Sequence, residues 1–117
     1  LPHLSVEAVA WLGLAALRSG QTATALEHVN QVLTHQAQNG HFDGTEDPLQ
    51  ILWTCCEVLR AAADERFGPV LAVTWDALQA RLATLRSSAE KDLFLAIGHH
   101  RLIAETAVLR GLAHTGH

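Results

Sequence analysis

Apolar residues recur at helical spacing along nearly the whole chain, and almost no segment alternates as a half-buried strand would. Between Ser5 and Ser19 the expected face is Leu4, Ala8, Leu12, Ala15 and Ala16, with Ser5 placed to cap the helix and Gly20 to stop it in the left-handed conformation. A second segment starts near Thr22 and repeats Ala25, Leu26, Val29, Val32 and Leu33 before the Asn39-Gly40 break. After the polar connection His41-Phe42-Asp43-Gly44-Thr45-Glu46, Asp47 is an expected N-cap, Pro48 the first helical residue and Gln50 the third. That helix carries Ile51, Leu52, Cys55, Val58, Leu59 and Ala62, and Ala63-Asp64 predicts a tight turn. A fourth carries Phe67, Leu71, Trp75, Leu78, Leu82 and Leu85, tolerating Pro69 because it lies in the first turn. Ser87 and Glu90 frame a capping box for a fifth helix through Leu93, Phe94 and Ile97. Gly98-His99-His100 predicts a kink or break before a last segment with Leu102, Ile103, Thr106, Leu109 and Leu112.

Five or six helices on short turns define an all-α chain of antiparallel hairpins. The reading is a single helical domain over residues 1–117: a first hairpin over about 4–38, a connection at 39–47, a second hairpin over about 48–85 and closing helices over about 88–112. Gly13 is the anomaly, because glycine inside a helix costs about 1 kcal/mol relative to alanine. A displacement of about 43 residues lays Leu12-Gly13 on Cys55-Cys56, Gly20 on Ala63 and Ala25 on Gly68, small residue on small residue. Two helices that lie close need a small residue where they cross, another at the turn and a third opposite the crossing. Gly13, Gly20 and Ala25 fill those three places.

With Leu12, Gly13, Gly20 and Ala25 so placed, and Val29 and Val32 at two later apolar positions, the first hairpin resembles the tetratricopeptide repeat. Ala16 stands where the family expects a large aromatic, and the second copy keeps only Cys56, Ala63 and Gly68 as small residues. A wider resemblance, over about 25–104, is to the C-terminal tetratricopeptide-type region of large bacterial signalling and transcription regulators, which carry an N-terminal cyclase or ATPase and often a DNA-binding domain. It rests on Gly44-Thr45-Glu46-Asp47-Pro48, Cys55, Val58-Leu59-Arg60, Phe94-Leu95 and His100-Arg101. These resemblances imply a right-handed stack of hairpins with a C-terminal capping helix. They also imply a cytoplasmic, non-catalytic interaction segment that offers a concave groove to a protein, a peptide or another domain of the same parent. Carried over position by position, the groove is Glu7, Leu14, Leu17 and Arg18 on the first helix and Gln50, Trp53, Glu57 and Arg60 on the third. Trp53 lies off its helix's main stripe, so it either anchors a partner or packs against a neighbouring hairpin.

The remaining features narrow the alternatives. A net charge of −4 gives no basic stripe for nucleic acid, and no apolar run reaches the roughly 18 residues a bilayer requires. The chain opens on Leu1-Pro2 and contains no methionine, which predicts a piece of a longer protein. Adjacent cysteines, Cys55 and Cys56, diverge on a helix and predict core thiols in a reducing compartment. Eight histidines raise a metal or small-ligand sensor as a competing class, but they show no zinc-ligand spacing, and the loop around Asp43 lacks calcium-hand spacing. Glu57 and Arg60 are expected to form a surface pair. No catalytic residue, metal site or cofactor is predicted. A structural spacer or oligomerisation segment, including a homodimer, is the other competing class.

Overall fold

The computed structural model describes residues 5–39 and 48–112, and every regular element among them is helical. The helices are α1 (Val6–Arg18), α2 (Thr22–Asn39), α3 (Pro48–Ala61), α4 (Phe67–Leu82), α5 (Ser88–Ala96) and α6 (Gly98–Leu109). The chain divides into two compact units, residues 1–67 and 68–117. The division falls inside the expected second hairpin, at the start of α4.

In the first unit α1 packs on α2, and α3 packs on both. Ser5 caps α1, its hydroxyl accepting the Ala8 N–H at 3.1 Å, while Glu7 in the first turn and Arg18 in the last complement the helix dipole. The helix ends as the sequence predicts. Gly20 takes φ +79°, its N–H donates to the Leu17 carbonyl at 3.0 Å, and the Gln21 N–H donates to the Ala16 carbonyl at 2.8 Å. So short a turn makes α1 and α2 antiparallel, and their crossing falls at Gly13. A Cβ there would stand 3.4 Å from His28 Cβ, 3.6 Å from the Ala25 carbonyl oxygen and 3.9 Å from Val29 Cγ2. The buried face of α1 is Val9, Ala10, Gly13, Leu14 and Ala16, whereas Leu12 is exposed, as is Ala15. This corrects the expected stripe. Contact with two helices requires a broad buried arc, and that arc centres on Gly13, about a quarter turn from the Leu12 line.

Helix α3 is buried on nearly every side, from Leu49 through Cys56 to Leu59, as a helix apolar all round must be. Thr54 is compatible with that interior because its hydroxyl donates to the Gln50 carbonyl at 2.9 Å. The helix stops in the same manner as α1, with the Ala63 N–H on the Arg60 carbonyl and the Asp64 N–H on the Leu59 carbonyl. Here, however, the left-handed residue is Ala63, at φ 52°, which carries the steric cost that glycine avoids. The two stops are 43 residues apart, as are the ends of α1 and α3 and of α2 and α4.

In the second unit α4 buries Leu71, Thr74 and Leu78. Its helix ends at Leu82, so the stripe expected to reach Leu85 finishes in a turn. Helix α5 starts on the predicted capping box: the Ser87 hydroxyl accepts the Glu90 N–H at 3.1 Å, and the Glu90 carboxylate accepts the Ser87 N–H at 3.1 Å. The break expected at Gly98-His99-His100 falls just before them, at Ile97, whose extended backbone (φ −62°, ψ 131°) separates α5 from α6, and Gly98–His100 form the first turn of α6. His100 is buried across this joint, donating Nδ1–H to the Phe94 carbonyl at 2.9 Å and stacking on the Phe94 ring at 4.0 Å. Helix α6 buries His100, Ile103, Thr106 and Ala107. Leu102, Leu109 and Leu112, expected on its inner stripe, are exposed.

Candidate interaction surface

The eight expected groove residues separate sharply by exposure. Trp53 and Leu14 are core residues, 2% and 6% exposed, so neither can reach a partner, which corrects their assignment to a groove. Trp53 shares its face of α3 with Gln50, Glu57 and Arg60, which reach solvent around it while its own ring is covered. Glu7, Leu17, Gln50 and Glu57 are half-buried; Arg18 and Arg60 are exposed. Arg60 is not simply a surface partner for Glu57. Its guanidinium lies 5.6 Å from the Trp53 ring centroid and 5.9 Å from that of Phe67, a cation over two aromatic rings at the rim of the core. Of the three expected crossing residues, Gly13 and Ala25 are buried against each other's helices and Gly20 is exposed at the turn.

Among the described residues the tryptophan or phenylalanine that is exposed is Trp11, at 53%, beside Leu12 at 44%. Their position follows from helical geometry. With Gly13 and Leu14 turned toward the core, Trp11, Leu12 and Ala15 fall on the outward side of α1, flanked by half-buried Ala8. Glu7 and Arg18 close this strip at its two ends. The sequence carried a signal for it: Trp11, Ala15 and Arg18 share a helix face, and so do Ala8, Leu12 and Ala15. The Leu12-Gly13 match drew Leu12 inward instead.

Cys55 and Cys56 are fully buried. Burial, and then the neighbouring Cys56, push the Cys55 thiol up to about 12, so it carries no thiolate at neutral pH. Among the described residues no three histidines, cysteines or carboxylates gather as a metal site would require. His28 backs the α1–α2 crossing with Nδ1 buried, and His35 lies on the polar outer face of α2 near Asn30, Gln31 and Thr34. His3, His41, His114 and His117 lie outside the described residues, as does the connection through Gly44 and Asp47. Asp64 receives both the backbone N–H and the guanidinium of Arg66, every bond at 2.9 Å. The side-chain bonds first, then the backbone bond, hold its carboxyl down at about 2. Among the described residues no helix is long and apolar enough to cross a membrane.

No family model matches this chain, and no curated protein or solved structure shows significant similarity to it.

Proposed function

We propose that the chain is a non-catalytic protein-interaction module that engages its partner through the outward face of α1. The observation that carries this reading is the contrast between two tryptophans. Trp53, 2% exposed, is part of the core, whereas Trp11 leaves about half its surface in solvent next to Leu12. An indole anchor beside an aliphatic residue, with arginine at the rim, is the composition of an interface centre. The finer assignment, a tetratricopeptide-like right-handed stack within a cytoplasmic bacterial signalling or transcription regulator, is supported by the sequence resemblance around Leu12-Gly13 and Gly44–Pro48. With Leu14 and Trp53 in the core, the groove in that assignment rests on Glu7, Leu17, Arg18, Gln50, Glu57 and Arg60.

Photo-crosslinking tests the proposal. A photoreactive amino acid at position 11 is expected to give discrete protein adducts in native lysate with the purified chain itself added up to about 1 mM. The same label in a Leu12→Glu chain should give fewer of them, whichever protein is captured. The same label at Val73, also exposed, should give none of these adducts. Absence of position-11 adducts, or adducts indifferent to Leu12→Glu, overturns the assignment of this face.

A further inference from the structure

We infer that the partner for the outward face of α1 is a second copy of this chain, with the two α1 helices antiparallel about a twofold axis beside Leu12. The inference rests on the interaction reading above and adds the identity of the occupant. The argument is self-complementarity. Glu7 lies in the first turn and Arg18 in the last, and both border the strip formed by Ala8, Trp11, Leu12 and Ala15. A twofold axis requires a residue and its contact to exchange places between the copies. With the axis next to Leu12, Trp11 of one copy meets the Leu12 region of the other, Ala8 comes near Ala15, and Arg18 falls within one residue's rise of Glu7. A parallel pairing would instead set like charges against each other at both ends. The antiparallel arrangement also places each helix's N-terminus beside the other's C-terminus, with the dipoles opposed favourably. Alanines between the two charged ends let the axes approach without displacing the indole.

The same geometry limits the strength. A helix of this length presents a face about 20 Å by 10 Å, well below the roughly 800 Å² per partner of a standard interface. The dimer is therefore weak and dependent on concentration.

Sedimentation equilibrium of the full chain, up to about 1 mM, tests this directly. The wild type is expected to move from monomer to dimer. Trp11→Glu should weaken the dimer by at least about tenfold, with unchanged helical circular dichroism. Glu7→Arg and Arg18→Glu should each weaken it, and the combined reversal should restore it. Restoration separates pairing across the axis from any loss of folding in the single variants. A wild type that stays monomeric, a dimer indifferent to Trp11→Glu, or a combined reversal no better than either single change overturns the inference. The interaction reading fails separately: Leu12-sensitive position-11 adducts to a different protein, alongside a monomeric wild type, would retain that reading and remove the second copy.

Discussion

At Gly13 the missing side chain has a measurable amount of room. The nearest atoms to a new Cβ stand at 3.4–3.9 Å, which is ordinary contact for one methyl group and collision for anything longer. Alanine would also recover about 1 kcal/mol of helix propensity. Gly13→Ala is thus expected to raise the urea midpoint by an amount equivalent to at most about 1 kcal/mol, whereas Gly13→Leu should lower stability by about 1–3 kcal/mol through overpacking. Equal losses from both variants would show that the crossing has no room for a methyl. Asp64 gives a pH dependence of fixed sign. Its carboxyl lies at about 2 in the folded chain against an ordinary 3.8, so the folded state favours the charged form. The stabilisation is complete above 3.8 and is lost as pH falls through about 2. Asp64→Asn should flatten that part of the acid-unfolding profile, as read by circular dichroism; an unchanged profile would remove the Arg66 pairing as its cause.

Among the elements, α5 depends most on its ends. It has nine residues and no buried side chain, and a helix that short is unstable alone in water. What holds it is the Ser87–Glu90 box at the start and the Phe94–His100 joint at the finish. Ser87→Ala should cost about 1 kcal/mol locally and move the α5 backbone chemical shifts toward coil while those of α3 stay unchanged. Retention of full α5 helicity would show that the box is dispensable. This helix also shows what a sequence discloses. Caps, stops and breaks are written in one to four neighbouring residues, so Ser5, Gly20, Pro48 and Ser87 were legible, and the break expected at Gly98–His100 was placed to within a residue or so of Ile97. Which side of α1 turns inward was not legible, because an alanine-rich helix offers two similar faces and packing against distant residues decides between them. For Trp53 the sequence left a partner anchor and core packing both open, and its burial decides for packing.

Across the whole molecule burial is unevenly spread, and this sets which parts open first. Helix α3 buries nine of its fourteen residues and packs on two other helices, whereas α5 buries none and packs on α6. Amide exchange from a helix requires breaking its hydrogen bonds, and the free energy of that opening rises with the amount of packed surface that must separate. Opening α3 exposes Leu52, Trp53, Cys55, Cys56, Val58 and Leu59, all 4% exposed or less, which amounts to dismantling the first unit. Opening α5 releases only Phe94 and Leu95, both half-buried, and the hydrogen bond to His100. Hydrogen exchange followed by mass spectrometry should therefore find α5 amides exchanging at least about a hundredfold faster than those at the centre of α3. The amides of α6 around Ile103 and Ala107 should fall between them, because that helix has a buried side but a less complete one. Protection in α5 equal to that of α3 would mean that this helix is held by more than its cap and its joint, and it would remove the ranking of stability by burial on which the prediction stands.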